Sequence, residues 1–248
     1  MIKLENCEVL GWEHAIRGMR NPKNSWGRSD SLFGPLNVTG CGDCPYNGNK
    51  CLGNGYARCI NLGPNDHELI MKLAKGGSVH AKYRRMITVY VDITAPLYWW
   101  KEFDTYKVGT VANSCSTMHK IHAKEFTLED FSHEHLTSNS LRTLESTILA
   151  LNYNRHVYIN GFKGIPGDNS RDVEPKDKKY WWQMIQLLPS SYNQKRTVML
   201  NYEVLANIYK SRRNHKLDEW HVLCDWIDGL PYSELITGRQ TENDATSI

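Results

Sequence analysis

The sequence predicts an α+β domain, on three observations. Residues 86–93 alternate in character, with Ile87, Val89, Val91 and Ile93 set against Thr88, Tyr90 and Asp92, which is the period of a half-buried strand. Around that strand lie segments with apolar residues at helical spacing, the longest over 140–159, where Leu141, Leu144, Ile148 and Leu151 form one stripe. The third observation is length, since a chain of 248 residues can bury a substantial core without covalent staples.

In chain order, residues 8–20 (EVLGWEHAIRGMR) have roughly helical apolar spacing and stop before Asn21-Pro22, where the proline disfavours further helix. Residues 25–63 are rich in Gly, Asn, Ser and Cys with no sustained period, and are expected to form an irregular loop or small knuckle. Asn65-Asp66 is placed to cap a helix over 67–77 that ends at Gly76-Gly77. Thr94-Ala95-Pro96 then starts a helix leaving the strand and running to about residue 105. A polar stretch follows, then a brief helical turn at 126–131, the long helix, and a surface loop over 161–175. Helices are expected over 176–188 and 194–212, on either side of Pro189, and from 216 to Gly229. The whole reads as one domain over 1–237 with a polar tail at 238–248.

Charge and composition limit the function classes. Thirty Lys and Arg against 27 Asp and Glu give a net charge of +3, too little to predict a nucleic-acid groove, so an anionic ligand must be held locally. The opening MIKLENCEVL lacks the apolar run of a secretory signal, and no stretch approaches the ~20 apolar residues of a membrane span. A cytoplasmic location is expected, and no membrane partner. Seven cysteines, an odd count, fit a reducing compartment better than a disulfide framework. Four of them, Cys41, Cys44, Cys51 and Cys59, form C-x2-C-x6-C-x7-C in a loop with no apolar pattern to fold around. Four thiolates can wrap one structural Zn²⁺. The C-x2-C half is typical of zinc sites and the remaining spacing is not, so zinc stands beside free thiols, with an iron–sulfur cluster a poorer third.

The run LPSSYNQKRTVMLNYEVLANIYKSRRNHKLDEW at 188–220 resembles the flavin-dependent thymidylate synthase family. Pro189, Asn201, Asn207 and Arg212 stand in the family's Pro, Asn, Asn and Arg places without a gap, followed by a loose match at Lys216-Leu217-Asp218-Glu219. Asn201 and Arg212 are eleven apart, which on one helix returns them to nearly the same face about 16 Å apart, the reach of a nucleotide plus a second ring. The structural alternative is that the asparagines satisfy backbone groups and Arg212 is a helix C-terminal cation.

Upstream, the same register sets Thr105-Tyr106-Lys107 on the family's Arg-His-Arg, Thr110 on its first Ser, Cys115 on its second Ser and Thr117 on its final Arg, while His80 matches a His that precedes the strand. Thr117 supplies one hydroxyl where the family has an arginine fork for phosphate, and Lys107 keeps charge without a fork. Glu203 stands where many members carry a flavin-side Arg. The resemblance implies a homotetramer with sites between subunits, FAD as cofactor, and Arg212 against a pyrimidine. The replaced residues favour a protein of this fold that holds a nucleotide-like ligand, for capture or sensing, with altered or lost catalysis. The alternative is a flavin-dependent one-carbon transferase acting on a pyrimidine nucleotide.

Other features fit blander roles. Cys115 near His119 suggests a nucleophile pair, but such spacing is usually incidental. His133 and His135 lack the i, i+4 spacing of a zinc helix. Trp99-Trp100 and Trp181-Trp182 read as core or interface anchors. Arg84-Arg85 is either a solvated pair or faces the ligand.

Overall fold

The structure, a computed structural model, describes residues 2–33, 60–164 and 171–239. Cys41, Cys44, Cys51 and Cys59 lie outside the described residues, and so does any zinc they would hold. Among the described residues no group of three or more His, Cys, Asp or Glu is arranged to hold a metal ion. No described helix is long and apolar enough to cross a membrane.

The chain is α+β. Strand β1 (Lys3–Leu10) leads into α1 (Trp12–Arg20); β2 (Leu32–Phe33) and β3 (Ile60–Asn61) pair antiparallel, Leu32 opposite Asn61 and Phe33 opposite Ile60. Then come α2 (Pro64–Lys75), β4 (Thr88–Pro96), α3 (Leu97–Phe103), β5 (Val111–Ser114) and the short α4 (Thr117–Lys120). Helices α5 (Ser138–Asn160) and α6 (Lys178–Leu187) precede β6 (Asn193–Asn201), α7 (Tyr202–Arg212), α8 (Asp218–Asp228) and α9 (Glu234–Thr237). Four strands form one sheet in the order β1-β4-β6-β5.

Several sequence expectations are corrected here. Residues 8–20 do not form one helix: β1 ends at Leu10, and Gly11, at φ 91, separates it from α1. A Cβ at Gly11 would run into the Met86 carbonyl oxygen, so no other residue fits the turn. The larger correction concerns 194–212, where β6 occupies Asn193–Asn201 and the helix begins only at Tyr202. Gln194, Val198 and Leu200 are buried at even positions, so the segment follows a period of two. Three charged or amide side chains, at 194–196, hide that period from a count of apolar residues. The polar stretch after α3 also contains a strand, β5, all four residues of which are exposed. Finally, α2 starts at Pro64, and its cap comes from a distant residue: the Asp30 carboxylate accepts from the N–H groups of Asn65 and Asp66 at 2.9 and 3.1 Å.

Other expectations stand. The alternation of β4 survives, with Val89, Val91, Ile93 and Ala95 buried. Helix α3 leaves the strand as expected, but Thr94, expected as its cap, stays in β4 and Pro96 precedes the helix; its first N–H groups are satisfied by chain, Leu97 donating to Tyr192 O and Tyr98 to Ser190 O, both at 3.0 Å. The α5 stripe is buried at Leu144, Ile148 and Leu151.

The described residues group into two compact units. The α5 unit, built from Thr94–Asp104 and Asn113–Arg196, has a core of Ile121, Phe126, Phe131, Leu144, Leu151 and Met184, and α6 packs on α5. Trp99 and Trp100 are buried beside Phe103 within this unit, Trp99 stacked on Phe103 with ring centroids 5.0 Å apart. Both tryptophans are therefore core.

The α7 unit, which includes Leu4–Ile93 and Thr105–Ala112, is pinned by a buried ion pair, Arg20 Nε to Asp66 Oδ1 at 2.6 Å. Asp66 also accepts from the Ser29 and Ser31 hydroxyls and from the N–H groups of Asp30 and Ser31. Burial by itself would raise the Asp66 carboxyl, but the donors Ser31, Ser29, Arg20 and the Asp30 N–H together hold it below 3.8. A carboxyl whose folded value is depressed contributes stability in full above its unfolded value and loses it as pH falls through the folded one. Unfolding should therefore become easier as pH drops below about 4, and Asp66→Ala, which strands Arg20 without a counter-charge, should cost about 3–5 kcal/mol in denaturant melts at neutral pH. In that variant the acid-side loss of stability should also shrink.

Candidate functional site

Seven of the nine residues singled out for ligand binding fall in the α7 unit: His80, Tyr106, Lys107, Thr110, Asn201, Asn207 and Arg212. Cys115 and Thr117 fall in the α5 unit. Each group is organised by its own local physics.

In the α7 unit, β6 ends at Asn201, whose extended backbone (φ −136, ψ 170) turns the chain into α7 while its Oδ1 accepts from Val204 N at 3.0 Å. Asn201 is thus the helix cap, as the structural alternative has it. Gly109, at φ 80, lies against this cap, where a Cβ would come within 3.0 Å of Asn201 Nδ2, so the Thr105–Ala112 segment approaches α7 through a residue without a side chain.

Eleven residues on from the cap, Arg212 ends the helix and is held by that same segment. Its Nε donates to the Tyr106 hydroxyl at 3.0 Å. The guanidinium carbon sits 4.7 Å from the ring centre of Trp220 on α8 and 5.7 Å from that of Tyr106, and the two rings meet edge to face at 6.1 Å. Trp220 is fully buried. Rigid aromatic faces on a guanidinium fix its plane, at about 0.5–2 kcal/mol per contact. Tyr106 and Arg212, paired from sequence only through the resemblance, are thus in direct contact, and Trp220 is the partner that sequence reading missed. Its place two residues into a helix rich in apolar positions gives the core reading and nothing more.

Asn207 is exposed one turn and a half beyond the cap, and lines a cavity of about 610 Å³ with Arg84, Glu203, Lys210 and Arg213. Arg84 therefore belongs with Asn207. Its Nη1 lies 3.7 Å from Glu203 Oε2, both side chains being 13% exposed. His80 is exposed beside Gly76 at the end of α2. Lys107 is exposed, and the Thr110 hydroxyl is buried without a hydrogen-bond partner among the described residues.

In the α5 unit, a second cavity of about 460 Å³ is lined by Cys115, Thr117, Lys120, Lys124, Asp130 and Gln194. Cys115 is exposed and fixed through its backbone: its N–H donates to Lys195 O at 3.0 Å and its carbonyl accepts from Gln194 Nε2 at 2.9 Å. Gln194 is held in turn by Arg196, which lies 4.1 Å over the Trp100 ring and pairs with Asp104. Thr117 opens α4, whose cap is Ser116 accepting from His119 N, and Lys124 pairs with Asp130. His133, one of two histidines weighed as metal ligands, is turned to the Phe131 carbonyl at 2.8 Å.

No protein-family model matches the sequence, and no curated protein matches it significantly. Solved structures do match in fold. A thymidylate synthase X (ThyX) structure from Helicobacter pylori with FAD and dUMP superposes with a TM-score of 0.59 at 16% identity, covering 96% of this chain and 98% of that one. A second structure of the same flavin-dependent enzyme, also complexed with FAD and dUMP, gives 0.58 at 15%, covering 97% and 99%. A UMP/dUMP methylase, PolB from Streptomyces cacaoi bound with 5-Br dUMP, gives 0.54 at 12%, covering 96% and 94%.

The chain has the ThyX fold. Within the run 188–220, where a helix over 194–212 and the start of another near 216 were expected, the fold has strand β6, helix α7 and the start of α8. Within the ThyX fold the cap role of Asn201 is separable from ligand contact. Asn201→Asp keeps the acceptor and should unfold within a few tenths of a kcal/mol of wild type in urea, whereas Asn201→Ala should lose about 1 kcal/mol. Equal stability of all three would mean that the side chain does not cap α7.

Proposed function

We propose that this chain is a nucleotide-binding member of the ThyX-fold proteins in which catalysis is altered or lost, holding a nucleotide-like ligand in pockets between the subunits of a homotetramer for capture or sensing. The observation that carries the proposal is the Arg212 guanidinium fixed against Tyr106 and Trp220. A planar cation presented with its Nε already engaged is preset to meet the carbonyl of a flat ring, and the immobilisation is done before ligand arrives. The ThyX and PolB structures were solved with dUMP or 5-Br dUMP, which supports a pyrimidine nucleotide as the ligand class.

Thr105–Ala112 and the start of α7 offer the pyrophosphate of FAD little. That group needs arginine forks or a helix N-terminus with bare N–H groups. In Thr105–Ala112 the one basic residue is Lys107. The α7 N-terminus has its Val204 N–H taken by Asn201 and a carboxylate, Glu203, in its first turn. An anion there would be repelled rather than drawn in. The second reading, a flavin-dependent one-carbon transferase, is favoured by the likeness of fold to ThyX, and by that alone. Zinc in the four-cysteine loop remains a proposal from spacing, checked by metal analysis of wild type against Cys41→Ser plus Cys44→Ser, where equal metal content removes it.

Ligand identification tests the main reading. Protein purified in its native state should release a nucleotide or a close analogue on denaturation, identified by mass spectrometry, and Arg212→Ala should release at least tenfold less per subunit while keeping its fold by circular dichroism. Unchanged occupancy in Arg212→Ala would place the ligand elsewhere.

A further inference from the structure

The Arg212 guanidinium keeps its plane because Trp220 lies against it, 4.7 Å from guanidinium carbon to ring centre. Trp220 is the third residue of α8 and fully buried, so its place depends on where that helix begins. The position before the helix is Leu217, whose side chain caps nothing. What holds Leu217 is His215: the ring Nδ1 accepts from Leu217 N at 3.2 Å, and Leu217 O in turn accepts from Trp220 N at 3.1 Å. The same imidazole meets the Trp220 ring edge to face, with centroids 6.2 Å apart. Its backbone ties both ends of the turn, His215 N donating to Arg212 O at 3.0 Å and His215 O accepting from His221 Nε2 at 2.7 Å. One residue thus bridges the end of α7, the start of α8 and the tryptophan that Arg212 rests on.

A backbone N–H only donates, so the His215 Nδ1 is bare and the ring carries its proton on Nε2. A second proton goes on Nδ1 and sets donor against donor. Histidine is the side chain that gains such a proton between about pH 8 and 5. The neighbouring charges give a protonated ring somewhere else to turn: Asp218 and Glu219 stand in the first turn of α8, Glu219 buried. Arg212 and Tyr106 lie on Trp220, and Arg213 and Lys216 flank the turn in sequence. His221 behaves differently, because its Nε2 already donates to a carbonyl and its Nδ1 lies 3.7 Å from Asp218 Oδ1, where a proton strengthens the contact. Of the two histidines, it is His215 whose protonation costs the turn a hydrogen bond.

We infer that His215 is a positioning residue for the Arg212 site: neutral, its Nδ1 holds the start of α8 and so seats Trp220 against the guanidinium; protonated, it releases Leu217 and the guanidinium loses its fixed plane. Ligand affinity then falls on acidification and levels off once the imidazole is charged. The effect on ligand rests on the nucleotide-binding reading, whereas the seating of Trp220 does not.

His215→Asn sets a side-chain oxygen near the place of Nδ1, able to accept from Leu217 N and unable to titrate. Backbone hydrogen exchange over 217–222, corrected for the intrinsic effect of pH, and isothermal titration with UMP are run on both proteins at about pH 7.5 and about pH 5.5. On acidification wild type should lose about tenfold in protection and in affinity relative to the variant, the size expected from one lost hydrogen bond. Referring wild type to the variant cancels the proton that the UMP phosphate itself takes up at about pH 6. Constant protection in wild type overturns the inference whatever the variant does, and so does an equal loss in both proteins. Divergent exchange with parallel affinity profiles overturns the link to the Arg212 site. If exchange behaves as expected but neither protein binds UMP at either pH, the positioning role of His215 stands and the nucleotide reading fails.

Discussion

The strand-to-helix turn at Asn201 is the constraint from which the candidate site follows. Strand β6 has to stop and α7 has to start within one residue, and Asn201 does both by staying extended while its side chain takes the Val204 N–H. The next residue locks the turn: Tyr202 is buried, its N–H donates to Ile87 O at 3.1 Å, and its hydroxyl reaches Pro231 O. With the start of α7 fixed, helical geometry fixes the rest. Glu203, Asn207 and Lys210 follow on one face, and Arg212 ends the helix against Tyr106 and Trp220.

The placing of charge around α7 is what the proposed change of chemistry rests on. A helix N-terminus is a ready anion site when its N–H groups are bare, and here a capping amide and a carboxylate occupy it. At the other end a guanidinium is held between aromatic rings. The α7 helix therefore carries a carboxylate at its start and a planar cation at its end. In the α5 unit, Cys115 and Thr117 share a cavity with Lys120 and Lys124, so positive charge survives there as lysine without the bidentate geometry of arginine.

Much of this was legible in the sequence, and what was not has identifiable causes. The β4 alternation, the α5 stripe and the departure of α3 at Pro96 are local signals, and they hold. Strand β6 was hidden because Gln194, Lys195 and Arg196 look like a helix surface. Their partners, Cys115 O for Gln194 and the Trp100 ring and Asp104 for Arg196, come from distant parts of the chain. The Asp30 cap on α2 and the Arg20–Asp66 pair are likewise long-range, and spacing cannot show them. The contact of Tyr106 with Arg212 was reached only by comparison with a family. The nearness of Arg84 to Glu203 needed the fold, because only the packing of its turn on α7 brings the two together.

The central claim is that this ThyX-fold chain has exchanged flavin chemistry for nucleotide binding, and titration of the purified protein with FAD tests it most directly. Flavin fluorescence and the visible flavin spectrum should stay those of free FAD up to high micromolar concentration. A stoichiometric yellow complex with quenched fluorescence would contradict the account.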